Sequence, residues 1–481
     1  MKLTIKKIAE MQAFVHNNIK QKHDIIGFSL FSAWLLSVPF EGQIFHGFIE
    51  QAGLEGNIHI TLAILAHFIG LFISGFFIKN GKTVKTTMLI SIIACIVGSL
   101  FFFLPLSIFW YFSIHIVSFF SGLFVASWGY YFKRYSQKGQ RLRVAADVLI
   151  YTNLIMILIN VIAINISLSI ALALSITGLL GALFLINTLE TISEDSFYKK
   201  EDNLEVAEKK TRNLTPIIIL AVFILIITIN SGLMYQVVNP AFSHFTLLTS
   251  FYWAVPYILA LLIIKNWPSK TKLPYILYIA LAMIGISYIS FISLGINITS
   301  YLLINTLMLG AFGVFDLFWW SILGSLLDYY DNPVKVWGIG LSMNVLGILI
   351  GGIYANRMII DENYLKSSII ALIVVLTIII ILPILNNQLL SILKKHAFLL
   401  VSYSTENKKL LISVTDFKDK DKLTKREIEV VSLLLQGYTY KAISEELNIS
   451  SNTIKYHSKN IYQKYNVNSK MELIKKLKRI K

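Results

Sequence analysis

The chain has 481 residues, of which 56% are hydrophobic and only 15% charged. Soluble globular proteins carry about 25% charged residues, so the composition excludes a chain that is soluble along its whole length, and equally a disordered, collagen-like or disulfide-rich secreted protein. The net charge of +16 asks for an anionic partner, either the inner membrane surface or nucleic acid. The single cysteine, Cys95, lies in an apolar run and supports neither an internal disulfide nor a cysteine-based zinc site.

Residues 1–24 form a charged segment without the apolar core and small-residue cleavage site of a signal peptide. Apolar runs of the roughly 20 residues that cross a bilayer core then recur as far as residue 385. Twelve crossings are predicted, near 25–40, 58–78, 86–104, 108–132, 146–166, 168–189, 214–238, 246–264, 273–294, 300–327, 335–356 and 367–385. The fifth and sixth are nearly fused, with their turn near Asn165, and the first rests on its Trp34 and Pro39 flank. With the N-terminus in the cytoplasm, 41 of the 43 Lys and Arg fall on the inner side. The other two, Arg357 and Lys366, flank the last outer loop. This predicts a bacterial inner-membrane protein with both termini cytoplasmic.

The polar stretch 190–213 divides the crossings into two sixes, 25–189 and 214–385. Two six-helix halves joined by such a linker resemble the major facilitator superfamily. The loop after the second crossing looks like a decayed copy of that family's signature, carried by Gly75, Lys79, Gly81, Lys82 and Lys85. The family's Asp is missing, with Lys79 near its place. In the eleventh crossing, Gly347 and Gly351 form a GxxxG seam that lets helices approach closely.

Polar residues within the crossings are few: His67, His115, Asn160, Asn230, Asn344 and Asp316. The Asn and His are predicted to bond between helices. Asp316 lies twelve residues from Asp328, which places it about 18 Å into the helix and near the middle of a hydrocarbon layer about 30 Å thick. No Lys or Arg lies deep in a crossing to neutralise it. The acid must be protonated, face water or accept hydrogen bonds. Trp319 and Trp320, at i+3 and i+4, share or flank its face, so Asp316, Trp319 and Trp320 are the candidate ligand or proton site.

Residues 386–422 read as a cytoplasmic linker, and 423–481 as four short helices. Thr424 and Glu427 form a capping box ahead of Ile428, Val431, Leu434 and Leu435. Gly437 ends that helix, and Thr439 caps a second with Ile443 and Leu447 inward. Ser450 or Ser451 caps a third, running to about Tyr465. Its Ile454, Ser458, Ile461 and Tyr465 make a core face, and Asn452, Lys455, Tyr456, Lys459 and Gln463 lie opposite. Such a helix fits the major groove of DNA, where lysines reach guanine edges or phosphates. Ser469 caps a fourth helix with the stripe Leu473, Leu477 and Ile480.

This segment resembles the LuxR/FixJ-type helix-turn-helix domain. The matching residues are Leu423-Thr424, Arg426-Glu427, Glu429-Val430, Gly437, Lys441, Ile443, Leu447, Ile449-Ser450, Thr453-Ile454-Lys455, His457, Asn460-Ile461, Lys464 and Val467. The resemblance implies that Lys455, Tyr456 and Lys459 face the major groove. It places Lys441 and Thr453 near phosphates and gives the last helix a dimer contact. Ala442 replaces a usual acid, Tyr465 a usual Leu, and Tyr456 is bulkier than the common aliphatic. Charge agrees, since residues 418–481 hold 15 Lys and Arg against 7 Asp and Glu.

The sequence thus predicts an all-α protein. A twelve-helix, major-facilitator-like bundle of six plus six carries a small C-terminal four-helix DNA-binding domain. The implied partners are double-stranded DNA, the lipid bilayer and a small-molecule ligand or proton, with a dimer on DNA. The function predicted is a membrane-anchored one-component transcription regulator. Its rival is a secondary transporter with a regulatory tail. No phosphate loop, HExxH, metal-binding Cys/His spacing or nucleophile elbow supports an enzyme, and no cofactor is implied.

Overall fold

A computed structural model describes residues 2–40, 43–51, 57–105, 108–191, 214–252, 254–267, 274–359, 364–393, 399, 423–435, 440, 443–444, 447 and 449–478. The chain divides into two compact units, Met1–Leu399 and Leu400–Lys481. In the first unit the helices are α1 (Lys2–Leu35), α2 (Gln43–Gln51), α3 (Asn57–Phe77), α4 (Gly81–Leu100), α5 (Ile108–Tyr135), α6 (Arg141–Asn165), α7 (Leu168–Asn187) and α8 (Thr215–Leu233). They continue as α9 (Asn239–Ala241), α10 (Thr246–Phe251), α11 (Val255–Lys265), α12 (Pro274–Ser293), α13 (Ile298–Leu326), α14 (Pro333–Ile359) and α15 (Tyr364–Ile392). Among the described residues, 11 helices are long and apolar enough to cross a membrane. The protein is a multi-pass membrane protein.

The eighth predicted crossing, 246–264, is the one that is not continuous. It is split into α10 and α11, with Pro256 in the first turn of α11. Proline lacks an N–H, so a first turn is where a helix tolerates it. The first crossing has no break from the N-terminal segment. α1 runs unbroken from Lys2 to Leu35 and widens only at a π-turn, Leu36–Phe40, around Pro39. The turn between the fifth and sixth crossings lies at Ile166 and Ser167. α15 continues to Ile392, past the predicted end at 385. Asn80 and Asn297 cap α4 and α13, each in a reciprocal box with the side chain three residues on, Thr83 and Ser300.

The outward surface is apolar. On α15, Ile373, Leu376, Ile380 and Ile384 are all exposed, as a helix facing lipid requires. Inside, small residues set the spacing. A Cβ at Gly347 would sit 2.3 Å from the Leu225 carbonyl oxygen, and one at Gly351 2.3 Å from that of Ile229. The GxxxG of α14 is therefore where it meets α8. A second seam joins α3 to α5, where Gly70 and Gly122 face each other's backbones.

The lysine-rich end of the bundle is closed between the halves. The Arg141 guanidinium donates to both carboxylate oxygens of Asp328, at 2.7 and 2.8 Å, and to the Gly324 carbonyl at 2.6 Å. Lys265 pairs with Asp147. The Asn332 amide donates to the carbonyls of Gly75 and Ile78, both at 3.0 Å. Next to this polar layer lies an aromatic one. Trp128 stacks on Phe28 at 4.0 Å and meets Trp320 at 5.9 Å and Trp337 at 5.5 Å.

Gly351→Ala should loosen the α8–α14 seam, because its methyl group has only rigid backbone to displace. Overpacking of this kind costs about 1–3 kcal/mol. The check is thermal unfolding of the purified protein in detergent, with Gly139→Ala as the control. Nothing lies within 4 Å of a Cβ at Gly139, so its Tm should match wild type.

Candidate functional site

The C-terminal unit is built on α16 (Lys425–Leu435), α17 (Ser451–Tyr465) and α18 (Lys470–Lys478). α16 opens on the predicted capping box. The Thr424 N–H donates to Glu427 Oε2 at 2.7 Å, and the Glu427 N–H donates to Thr424 Oγ1 at 3.3 Å. Its Val430, Val431 and Leu434 are buried with Ile443, Ile454, Ile461 and Leu473. Ser450 is the residue that caps α17, accepting the Thr453 N–H at 3.1 Å. Asn466, at φ 48°, ends the helix in the left-handed region that Asn tolerates.

The buried residues of α17 are Ile454, Ser458, Ile461 and Tyr465. The opposite face carries exposed Asn452, Lys455, Tyr456, Lys459 and Gln463. Tyr456 is 64% exposed. An exposed large aromatic at the centre of a lysine stripe, touching only the edge of His457 among the rings, can meet a partner. Thr453 is half-buried, with its hydroxyl 2.7 Å from that of Ser450. Of the predicted dimer stripe Leu473, Leu477 and Ile480, Leu473 is fully buried in the domain's own core and so not open to a second copy, and Leu477 packs against that core. Lys441, Gly437, Thr439 and Ile480 lie outside the described residues.

The sequence missed what fixes α17 to α16. Lys464 donates to Glu427 Oε2 at 2.7 Å, so one buried carboxylate serves both the capping box and α17. Burial alone would push the Glu427 carboxyl up. The Lys464 ammonium and the Thr424 hydrogen bonds outweigh it and hold the carboxyl below its usual range. Arg426 ties the start of α16 to the turn through the Leu447 carbonyl at 2.8 Å.

In the membrane unit, Asp316 is half-buried on α13. The Tyr257 hydroxyl donates to Oδ2 at 2.8 Å and the Trp319 indole to Oδ1 at 3.2 Å. Tyr257, on α11, is the partner that local sequence does not reveal. Trp320 makes no hydrogen bond to Asp316. It belongs to the aromatic layer, 5.2 Å from Trp337 and 5.9 Å from Trp128. A second buried acid also escaped the sequence reading. Asp24, 1% exposed, accepts the Trp128 indole N–H at 2.8 Å.

Residues 421–477 match the family of bacterial regulatory proteins, luxR family. Over 52 residues the chain is 46% identical to the transcriptional regulatory protein DegU of Brevibacillus brevis, covering 11% of this chain and 22% of that protein. It is 44% identical over 52 residues to the oxygen regulatory protein NreC of Staphylococcus carnosus, covering 11% and 24%. The chain thus spans less than a quarter of the length of either regulator. The human organic anion transporter MFSD10 (TETRAN) superposes with a TM-score of 0.55 at 12% identity, over 77% of this chain and 98% of that one. The major facilitator superfamily proton:xylose symporter XylE does so with a TM-score of 0.56 at 11% identity, over 76% and 94%. The chain therefore joins a helical membrane bundle of major-facilitator fold to a C-terminal LuxR-type helix-turn-helix domain. That pairing places a regulator domain on a transporter-like body, and no enzyme class appears among these likenesses.

Glu427→Gln should destabilise the C-terminal unit by about 1.5–3 kcal/mol, the range for hydrogen bonds to charged groups. The wild-type contribution is fully present above the unfolded carboxyl value of about 4.3. It is lost as pH falls through the lower folded value. Thermal unfolding across pH should show this acid limb in wild type and a flatter one in Glu427→Gln.

Proposed function

We propose that this chain is a membrane-anchored one-component transcription regulator. Its bundle receives a signal, and its LuxR-type domain binds promoter DNA. The observation that carries the reading is the split character of α17, with a buried apolar face and an exposed stripe of Asn452, Lys455, Tyr456, Lys459 and Gln463. Lys455 and Lys459 reach base edges or phosphates, Tyr456 offers its ring to a thymine methyl, and Thr453 and Lys441 sit near phosphates. Dimerisation on DNA runs through α18, by Leu477 and Ile480 beside the buried Leu473. The domains are 1–24, 25–189, 190–213, 214–385, 386–422 and 423–481. The excess of Lys and Arg on one side supports an inner-membrane placement with both termini cytoplasmic. The 37 residues of 386–422, at about 3.3 Å each, extend to roughly 120 Å, enough for an anchored domain to reach chromosomal DNA.

Signal entry is assigned to Asp316 with Trp319 and Tyr257. A ligand or proton there favours one of two bundle arrangements, which differ in whether the Arg141–Asp328 contact is closed. Two hydrogen-bond donors on one half-buried acid also suit a transported solute, so a secondary transporter with a regulatory tail is the second reading. Solute accumulation in vesicles without any change in promoter occupancy favours the transporter.

The isolated residues 418–481 should bind DNA with a steep salt dependence. Lys455→Ala should lose about 1–3 kcal/mol of base discrimination, and Lys459→Ala should flatten the salt slope by about one unit. Fluorescence anisotropy over a salt series reads both. Unchanged affinity in both variants removes α17 as the recognition helix.

Asp316→Asn keeps the shape of the side chain and deletes its titratable proton. Reporter expression in cells should become fixed, on or off, across external pH and candidate solutes. Protein level and DNA binding by the isolated tail should stay as in wild type. A wild-type response from the variant means that the signal enters elsewhere.

A further inference from the structure

At the lysine-poor end of the first half, three rings meet between α3 and α5. His59 lies in the first turn of α3, and Tyr111 and His115 stand one turn apart near the start of α5. The His59 ring stacks on Tyr111, with centroids 3.9 Å apart and an angle of 27° between planes. The His115 ring lies 5.8 Å from that of His59. Each histidine keeps one ring nitrogen buried without a hydrogen-bond partner, Nδ1 of His59 and Nε2 of His115. Leaving such a group unmet costs about 1–3 kcal/mol. A third histidine on the same seam behaves differently. His67 Nδ1 lies 2.7 Å from the Ser121 hydroxyl and 3.3 Å from the Ser118 carbonyl oxygen. The seam thus satisfies His67 internally and leaves one ring nitrogen of each neighbouring histidine unmet.

The ring-centroid spacing of that pair is compatible with two metal ligands. An imidazole nitrogen binds Zn²⁺ at about 2.0–2.1 Å, which sets the ring centroid about 3.2 Å from the ion. Two such rings lie about 5.2 Å apart at a tetrahedral angle and about 6.4 Å apart when opposed across the ion. The observed 5.8 Å falls between these limits. Imidazole suits zinc and copper, whereas Ca²⁺ and Mg²⁺ demand oxygen ligands. Among the described residues, no group of three or more His, Cys, Asp or Glu could hold a metal. This pair therefore leaves coordination positions for water, as an exchangeable site does. The stack on Tyr111 fixes the His59 ring, and the Gly70–Gly122 contact fixes the distance between the two helices.

The geometry points to a site for a d¹⁰ metal ion, Zn²⁺ or Cu⁺, held between His59 Nδ1 and His115 Nε2. The proposed orientation places this end of the bundle outside the cell, where an ion reaches it without crossing the membrane. The site goes beyond the DNA-binding reading and does not depend on it.

The test uses the full chain in detergent, purified without a histidine tag. It is titrated with Zn²⁺, or with Cu⁺ under reductant, against a chromophoric chelator. Wild type should take up one ion per chain. Replacing an outer-shell residue of a metal site lowers affinity about 10–100-fold, so His59→Gln and His115→Gln, which remove a direct ligand, should lose at least that much. His244→Gln, in the other half, should bind as wild type. His115→Cys supplies a thiolate in place of the imidazole and should gain an ultraviolet thiolate-to-Cd²⁺ band that wild type lacks. This reading holds even where the glutamine variants fold poorly. Uptake of less than one ion by wild type, equal affinity in the glutamine variants, or no Cd²⁺ band in His115→Cys overturns the site. None of these readouts involves DNA, so their failure leaves the regulator reading untouched.

Discussion

A hydrocarbon layer offers no hydrogen bonds, and the structure follows from that constraint. Backbone groups meet it by staying helical across eleven long segments. The charged side chains meet it by finding partners, whereas Asn230, which the sequence predicts to bond between helices, keeps both side-chain polar atoms buried without one. Asp316 is met by Tyr257 and Trp319, Asp24 by Trp128, and Arg141 by Asp328 and the Gly324 carbonyl. Each is a contact between different helices or, on α13, between successive turns. Polar residues here therefore bind the bundle together, whereas in water they would line its surface. Breaking a buried ion pair by removing one partner costs about 3–5 kcal/mol, which makes the Arg141–Asp328 contact a strong discriminator between arrangements.

One helix carries both the candidate signal site and that contact. On α13, residues 316, 320, 324 and 328 follow at four-residue steps, just beyond the helix in the last case. They are an acid held by Tyr257, an indole in the aromatic layer, a carbonyl accepting from Arg141, and the acid paired with it. The distance along the helix is about 18 Å. A rigid helical stretch with a polar contact at each end and an aromatic surface between them is a physical link, because movement at one end displaces the other. The link is a proposal from geometry, and coupling energies between the two ends would be its direct measure.

What the sequence revealed depended on whether the partners lie on one helix. The two faces of α17 were legible because buried and exposed residues repeat at the helical period in a water-facing domain. The Thr424–Glu427 box and the glycines of α14 were legible because their spacing is local. Pairings across the fold left no such mark. Tyr257 and Asp316 are 59 residues apart, Trp128 and Asp24 are 104 apart, and Lys464 and Glu427 are 37 apart. Asp24 also stood at the edge of a crossing, where an acid reads as a solvated flank. Trp320 was grouped with Asp316 because the i+4 position shares a helix face. In the structure its indole sits in the aromatic layer, between Trp128 of the other half and Trp337 of its own. Lipid also hides the inward face, since residues such as Ile380 and Leu376 are as apolar outside as the core is inside.

A basic domain tethered to a membrane has two anionic surfaces within reach. Near an anionic leaflet each Lys or Arg gains about 1 kcal/mol, and phosphates of DNA attract the same side chains through counterion release. Lysines alone would not choose between them. The exposed stripe of α17 holds more than lysines: Asn452, Tyr456 and Gln463 stand among them. Amide groups pair with base edges, and an exposed ring contacts a thymine methyl, in a groove that a headgroup layer does not present. Lipid would also not require the face opposite to be buried against a second capped helix, with Lys464 withdrawn from the stripe to hold Glu427. On the proposed reading, the charge draws the domain to any polyanion, and the neutral residues of the stripe favour DNA.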